Sequence, residues 1–314
     1  MDRRCEPPNS GRKLSLTLGL VTLNEEGTIG ASLGALLGEM NHLDVECEII
    51  VVAGGQDGTV GIVQAMLDCN PRAKVIVDAS PRGKPAALNT IFSSSRGDIV
   101  VLSDGDVVVG PGAIKLLLRA FDDPEVGCTS GRVLGAFGQY NHVMRASSLI
   151  NDLMHLSRNE RQKSEMSLDL ASGYLLAVRR DLVDQIPVGV KSDDGYISLM
   201  TLSRGYRIAY AEDAIVYVNF PRSVSDFINQ KMRTRYGHME LKDHFGGEVG
   251  RTAFRELRDM LKHSKAARRV GSYGMGTVMI ALLLLAACWT YAYVRRIAPF
   301  LFKSPVWRPI KSTK

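Results

Sequence analysis

The residues best suited to chemistry form two acidic pairs that lie far apart in the chain. Asp104 and Asp106 flank a glycine directly after the apolar stretch 98–103, and Asp193 and Asp194 are adjacent. Two carboxylates one residue apart can both turn toward one hard cation, and Mg²⁺ or Mn²⁺ prefers oxygen ligands completed by substrate phosphates. The first pair therefore predicts a Mg²⁺ or Mn²⁺ site at Asp104 and Asp106. The alternatives are an acidic surface turn for the first pair and a helix N-cap for the second.

Alternating β-type and helical patterns predict the elements that position these residues. Strands are expected at 13–21, 48–52, 74–77, 98–103, 174–179 and 207–210, and helices at 28–40, 60–69, 84–96 and from 192. This alternation is typical of an α/β domain with a mostly parallel sheet. Ligands bind at the carboxyl ends of such strands, so we expect Asn24, Asp57 and Asp104 to lie around one crevice.

Charge is distributed unequally along the chain. The 314 residues carry a net charge of +6, but residues 251–314 hold thirteen Lys and Arg against two Asp and Glu, which leaves the first 250 residues at −5. A basic groove is therefore not expected, and no nucleic-acid partner is predicted. With 45% hydrophobic residues, the chain is not largely disordered. Its five cysteines, without a C-x-x-C pair, predict neither a disulfide framework nor a zinc site.

One segment near the C-terminus predicts a membrane partner. Residues 274–294 contain no charged side chain over 21 positions, which spans roughly 30 Å as a helix, the hydrocarbon thickness of a bilayer. We predict a transmembrane helix at 273–296, with a buried core helix as the alternative. The other expected segments are a disordered N-terminus at 1–12, a globular domain at 13–240, an interfacial amphipathic helical segment at 241–272 and a basic, proline-containing tail at 297–314.

Further motifs occur in the same order as in a known enzyme family. They are Thr22-Leu-Asn24-Glu25-Glu, Arg82-Gly-Lys84-Pro-Ala-Ala-Leu-Asn89, Asp104-Gly-Asp106, Ala171-Ser172-Gly173-Tyr174, Ser192-Asp193-Asp194 and Gln230-x-x-Arg233. Over about residues 14–240, the chain resembles the membrane-associated family 2 glycosyltransferases of the GT-A type. This group includes cellulose, chitin and hyaluronan synthases and dolichyl-phosphate sugar synthases. The resemblance implies a GT-A domain with a Rossmann-like, mostly parallel sheet at 13–240, followed by amphipathic helices and the transmembrane helix.

The resemblance also implies a role for each motif. Asp194 would be the general base, with Asp193 titrating jointly with it, and Asp104 and Asp106 would hold the metal. Binding of the nucleotide-diphospho-sugar donor would fall to Thr22, Asn24, Glu25, Asp57, Lys84, Asp104, Gln230 and Arg233, and acceptor binding to Ser172, Gly173 and Tyr174.

The chain departs from the family pattern at two places. Residues 53–55 read Ala-Gly-Gly where the family usually has an Asp pair, so the carboxylate that contacts the donor base is missing or is replaced by Asp57. Thr234 stands where the family has the Trp of Q-x-x-R-W. This change, together with a single apolar helix, argues against a channel that moves polysaccharide.

The expected activity is the inverting transfer of a sugar to a hydroxyl or phosphate of a lipid-linked or polysaccharide acceptor. The reaction is expected at a membrane, with the catalytic domain on the cytoplasmic face. Two other functions remain open. A nucleotidyltransferase also combines an α/β fold with paired carboxylates, although a Gly- and Arg-rich loop normally follows its first strand. A non-catalytic, membrane-associated binding module on the same scaffold is the third.

Overall fold

The computed structural model describes residues 14–136, 138, 140–164, 167, 170–245, 258–259, 261–266 and 273–297. The predicted disordered N-terminus at 1–12 lies outside the described residues. The same holds for the basic tail after Ile297 and for most of the predicted interfacial segment at 241–272.

The described part of the chain forms an eight-stranded sheet with helices on both faces. The strands are β1 (Leu16–Leu23), β2 (Cys47–Gly54), β3 (Ala73–Asp78), β4 (Ile99–Asp104), β5 (Val107–Val109), β6 (Val126–Gly135), β7 (Leu175–Arg179) and β8 (Arg207–Val218). The helices are α1 (Ile29–Asn41), α2 (Thr59–Leu67), α3 (Lys84–Ser94), α4 (Ala113–Leu118), α5 (His142–Lys163), α6 (Asp193–Ser203), α7 (Val224–Phe245) and α8 (Met275–Ile297). The elements predicted before residue 105 are all present, with ends within three residues of those expected.

The sheet is mixed, with the strand order β3-β2-β1-β4-β7-β6-β8-β5. Strands β3, β2, β1 and β4 are parallel to one another. Strand β7 pairs antiparallel with both β4 and β6, β5 pairs antiparallel with β8, and β6 pairs parallel with β8. The expected mostly parallel sheet is therefore correct for β3, β2, β1 and β4 and for the β6–β8 pair. It is wrong for β7 and β5, which run antiparallel to their neighbours.

Alternate side chains of the parallel strands enter two cores. In β2, Ile49 and Val51 face a core covered by α1, α2 and α4. Ile50 and Val52 face the other core, which α3 and α6 cover. A continuous apolar run is what a strand buried on both faces requires, and this explains the sequence of β2.

A third core joins α5, α7 and α8 beside the sheet. Leu149 and Leu153 of α5 and Phe227 of α7 pack with Leu284 and Cys288 of α8. Helix α7 continues through the predicted domain end at 240. Helix α8 is long and apolar enough to cross a membrane, and 28% of its apolar window is buried against the rest of the chain.

One buried carboxylate connects α1 to α4. Glu39 is 9% exposed, and its two oxygens accept hydrogen bonds from the Gly112 and Ile114 amides at 2.7 and 3.1 Å. Amides at a helix start lack partners within the helix. We expect Glu39→Ala to lower the free energy of unfolding by about 1–3 kcal/mol, as measured by chemical denaturation. Glu46→Ala, at an exposed position, is the control, and an equal loss in both variants would contradict the capping role.

Candidate active site

The carboxyl end of β4 meets three other segments at one edge of the sheet. Asp104, the last residue of β4, lies beside Val21 of β1 in the parallel register. Because β7 runs antiparallel to β4, with Leu175 opposite Ser103, residues 172–174 arrive at the same edge. The ends of β1 and β4 and the start of β7 therefore lie together at the edge of the sheet where the crevice was predicted.

The side chain of Lys84 joins the two acidic pairs. Lys84 opens α3 directly after Gly83, whose φ of 99° is a conformation that favours glycine. Its Nζ lies 2.8 and 2.9 Å from the carboxylate oxygens of Asp104 and 3.2 Å from Oδ2 of Asp193. One cation thus bridges two motifs that are far apart in the sequence.

Carboxylates outnumber cations in this cluster. Burial raises the pKa of Asp104 to about 6; Lys84 opposes this shift, and Asp106 and Asp193 add to it. Burial by itself would lower the pKa of Lys84, but Asp104, Asp193 and Asp194 together raise it above its usual range. Lys84 is therefore held in its charged form, and the excess of carboxylates favours binding of a further cation.

The carboxylate of Asp194 is oriented at the start of α6. Its Oδ1 accepts hydrogen bonds from the Ser192 hydroxyl at 2.7 Å and the Gly195 amide at 2.8 Å. Its Oδ2 accepts a longer one, 3.2 Å, from the Gly173 amide. Oδ2 thus accepts one hydrogen bond, whereas Oδ1 accepts two. Ser192, rather than Asp193 or Asp194, stands at the N-cap of α6. Asp194 still contributes to the helix start, because it accepts the hydrogen bond from the Gly195 amide.

Helix α7 brings Gln230 and Arg233 to the same edge. Gln230 donates from Nε2 to the Tyr174 hydroxyl at 3.1 Å, and the exposed Arg233 follows one helical turn later. Burial raises the pKa of Tyr174 to about 12, with Asp106 adding to the shift and Arg233 opposing it. The charges of Asp106, in the first acidic pair, and of Arg233, on α7, therefore both act on Tyr174.

The loop after β1 lies against the glycine between the two carboxylates. Thr22 donates its hydroxyl to Oε2 of Glu25 at 2.9 Å, and the Glu25 amide donates to the Thr59 hydroxyl at 2.7 Å. A Cβ added at Gly105 would collide with Oε2 of Glu25 and lie 2.5 Å from Oγ1 of Thr22. Only glycine therefore allows this close approach between the end of β4 and the predicted donor loop.

This contact predicts a strong effect of one added methyl group. We expect Gly105→Ala to displace the loop at 22–25 and to weaken binding of nucleoside diphosphate at least about tenfold, measured by titration calorimetry. Gly61→Ala in α2 is the matched control, because no atom lies within 4 Å of the Cβ it would add and Ala favours helices. Unchanged affinity in Gly105→Ala would contradict the role of the close approach.

Two other predicted donor residues bind the local backbone. Asn24, with a φ of 53°, accepts the Gln56 amide on Oδ1 at 2.7 Å. Asp57 accepts the Glu26 amide at 3.2 Å and the Thr59 amide at 3.0 Å. Burial would raise the pKa of Asp57, but the hydrogen bonds, those from Thr59 first, hold it below its usual value. These bonds are those of a turn residue, and a donor contact by Asn24 or Asp57 stays a prediction.

The predicted acceptor residues connect β7 to two helices. Ser172 is 8% exposed, Gly173 contacts Asp194, and Tyr174 contacts Gln230. Their contact with the acceptor stays a prediction.

The donor atoms of Asp104 and Asp106 fit a hard divalent cation that binds together with a substrate. Within the described ranges, no three or more His, Cys, Asp or Glu side chains are grouped so as to hold a metal ion. Mg²⁺ is commonly held by one or two carboxylates plus phosphate oxygens. Two carboxylates in an acidic cluster fit this pattern, with Lys84 on the Asp104 carboxylate in the present arrangement.

Most of the predicted site residues thus meet at one edge of the sheet. The contacts above join Thr22, Glu25, Lys84, Asp104, Gly173, Tyr174, Asp193, Asp194 and Gln230, with Asp106 and Arg233 acting electrostatically on the same cluster. Two features were missed: the bridge from Lys84 to Asp193, and the Ser192 hydroxyl that orients Asp194. The bridge has no local sequence signal, because it depends on where α6 begins in space. The Ser192 hydroxyl had one, since Ser192 stands two residues before Asp194 in the same motif.

The described residues form an α/β domain whose candidate site lies at the carboxyl ends of its parallel strands. The sequence model of the family described as "Glycosyltransferase like family 2" matches residues 16–237, which include the whole sheet and most of α7. The chain therefore belongs to glycosyltransferase family 2.

Curated relatives resemble part of the chain. An N-acetylglucosaminyltransferase from Bradyrhizobium diazoefficiens is 26% identical over 188 residues, 55% of this chain and 38% of the relative. Another from Rhizobium meliloti is 24% identical over 204 residues, 60% of this chain and 47% of the relative. A poly-beta-1,6-N-acetyl-D-glucosamine synthase from Staphylococcus aureus is 24% identical over 244 residues, which are 73% of this chain and 56% of the relative. The chain spans about half of the length of these relatives or less.

Solved structures share the fold. A mannosyltransferase from Pyrobaculum calidifontis, in complex with GDP-Man and Mn²⁺, has a TM-score of 0.57 at 19% identity and covers 93% of this chain and 82% of its own. Glucosyl-3-phosphoglycerate synthase from Mycobacterium tuberculosis, in complex with Mn²⁺, UDP and glucosyl-3-phosphoglycerate, has a TM-score of 0.52 at 19% identity. The match covers 76% of this chain and 82% of the synthase. At this identity the likeness concerns the fold.

Proposed function

We propose that the chain is an inverting glycosyltransferase that moves a sugar from a nucleotide-diphospho-sugar to an acceptor at a membrane. The observation that carries this proposal is the position of Lys84, whose ammonium contacts Asp104 on one side and Asp193 on the other. This contact joins the predicted donor residues Lys84 and Asp104 to the acidic pair that contains the predicted base, which supports the proposal.

On the donor side, two cations are proposed to neutralise the leaving group. Arg233 is exposed and follows Gln230 by one turn of α7, so its guanidinium is free to turn toward phosphate oxygens. Lys84, at the acidic pairs, is the second cation. Charge-assisted hydrogen bonds from both groups would stabilise the departing diphosphate. A Mg²⁺ or Mn²⁺ ion bound at Asp104 and Asp106 would supply further positive charge for this step.

The acceptor side removes a proton. As the acceptor oxygen bonds to the anomeric carbon, the bond from that carbon to the diphosphate breaks and the nucleoside diphosphate leaves. The acceptor proton passes to Oδ2 of Asp194, the less occupied oxygen of that carboxylate. Attack from the face opposite the leaving group inverts the anomeric centre.

The acceptor is proposed to be a lipid-linked glycan, a polyprenyl phosphate or a polysaccharide at a membrane. Helix α8 and the basic segments around it support a membrane lipid partner, and we place the catalytic domain on the cytoplasmic face. The names of the curated relatives make N-acetylglucosamine the first donor sugar to test.

The test is slow donor hydrolysis without an acceptor. The purified chain is incubated with Mn²⁺ and a panel of UDP-, GDP- and dTDP-sugars, and the released nucleoside diphosphate and the anomer of the freed sugar are measured. Release that Asp106→Ala abolishes, and that the exposed control Asp122→Ala retains, supports the proposal. Formation of pyrophosphate would indicate a nucleotidyltransferase. A folded protein that releases no nucleoside diphosphate from any sugar of the panel would indicate a binding module.

A further inference from the structure

From Met275 to Val294, helix α8 carries no charged side chain on any side, although the domain covers one side. The buried side consists of Ala281, Leu284, Leu285, Cys288 and Ala292, each at most 8% exposed. The opposite side exposes Met275, Met279, Leu283, Tyr293, Val294 and Ile297, each by 42% or more. A helix on the surface of a soluble protein carries polar residues on its outer side. This outer side is therefore suited to an apolar partner.

Contacts near both ends hold the inner side of α8 against the domain. Just before the helix, the Tyr273 hydroxyl donates to Asp152 and lies 2.6 Å from the Ser148 hydroxyl, both on α5. Toward the other end, the guanidinium carbon of Arg235, on α7, lies 4.1 Å from the centre of the Trp289 ring. These two contacts are about 24 Å apart along the helix axis. The domain therefore packs against α8 along most of the length that a bilayer core would cover.

This docking conflicts with a spanning helix. If α8 crossed a bilayer in this arrangement, Arg235, which is 7% exposed and contacts Trp289 within the apolar span, would enter the hydrocarbon region together with the parts of α5 and α7 that pack on α8. Ionisable side chains at that depth are costly. A spanning α8 would have to leave the domain and break both contacts.

We infer that α8 stays docked and lies along the membrane surface, with its outer side in one leaflet of an anionic bilayer. This inference rests on the membrane location in the proposed function and replaces the predicted transmembrane arrangement. Arginine pairs at 268–269 and 295–296 stand on either side of the uncharged stretch 274–294. From residue 251 onward, thirteen Lys and Arg outnumber two Asp and Glu. Such clusters attract anionic headgroups. A second copy of the chain would cover the apolar side but leaves this charge unmatched.

Vesicle binding tests the outer side of α8. The full chain is mixed with phosphatidylglycerol–phosphatidylcholine vesicles, without donor or acceptor, and the bound fraction is measured by flotation. Leu283→Glu is expected to lower vesicle affinity at least about tenfold, whereas Val188→Glu, at a 59% exposed position in the loop before α6, leaves it unchanged. Unchanged binding in Leu283→Glu would overturn the inference. A monomer produced by Leu283→Glu without any loss of vesicle binding would assign this side to a second copy instead.

Labelling separates a helix in the membrane plane from one that spans it. Ser264→Cys and Ser312→Cys are placed before and after α8 in a chain with Cys5→Ser and Cys69→Ser; Cys47, Cys128 and Cys288 are buried. A membrane-impermeant maleimide is expected to label both sites from outside sealed vesicles. Labelling of either site only after detergent would overturn the inference. Donor hydrolysis by Leu283→Glu in detergent, expected to equal that of the unchanged chain, distinguishes this failure from failure of the transferase proposal.

Discussion

Replacing Asp194 by Asn is expected to lower the rate of sugar transfer at saturating substrates by about 10²–10⁴-fold. The amide keeps the size of the carboxylate, and its oxygen can still accept from Ser192 and Gly195. It cannot take the acceptor proton. Because the Lys84 ammonium contacts Asp193 rather than Asp194, the affinity for nucleoside diphosphate should stay close to that of the unchanged chain. Single-turnover transfer and calorimetric titration measure the two quantities separately.

The neighbouring carboxylate provides the control. Asp193→Asn removes one contact of Lys84 and is expected to alter donor affinity more than the rate of the chemical step. If Asp193→Asn stopped turnover while Asp194→Asn retained it, the assignment of the base would be wrong and would pass to Asp193.

Replacing Lys84 by Met is the second large change, and its effects on donor and metal binding are expected to have opposite signs. Loss of the ammonium removes a charge-assisted hydrogen bond to the diphosphate, worth about 1.5–3 kcal/mol, so the affinity for nucleoside diphosphate should fall about 10- to 150-fold. The same change frees the Asp104 carboxylate, which Lys84 contacts at 2.8 Å. Mn²⁺ added without nucleotide should therefore bind more tightly to the variant.

Lys191→Met is the matched control for this prediction. Lys191 pairs with Glu240 at 3.4 Å on the surface, and its loss should change neither affinity. Weaker binding of both Mn²⁺ and nucleotide in Lys84→Met would show that Lys84 organises the fold of the site rather than competing for its carboxylates.

The parallel half of the sheet could be predicted because each of its elements has a local signature. Strand β2 is a continuous apolar run, and α3 begins at a glycine followed by Lys84. No element was predicted between 107 and 139, because β5 is three residues long and pairs with β8, more than 100 residues later. Strand β8 was predicted too short, since Glu212 and Asp213 interrupt its pattern and the register shifts between Gly131 and Arg132 of β6.

The site was predictable in residue type more than in geometry. Motif order predicted Lys84, Asp104 and Asp194 as partners of one reaction. The bridge between Lys84 and Asp193 depends on the antiparallel entry of β7, which sets the start of α6 beside β4. Likewise, the composition of α8 indicates an apolar partner, while its docking against α5 and α7 required the packed structure.

We expect Asp104, Asp106, Lys84, Arg233 and Asp194 to surround one sugar diphosphate. Crystals grown with Mn²⁺ and the nucleoside diphosphate found in the hydrolysis panel test this arrangement through the anomalous signal of manganese. One peak is expected about 2.1 Å from a carboxylate oxygen of the Asp-Gly-Asp motif, with the diphosphate reaching Arg233 and its open end facing Asp194. A peak away from both aspartates, or an Asp194 carboxylate turned away from the diphosphate, would contradict it.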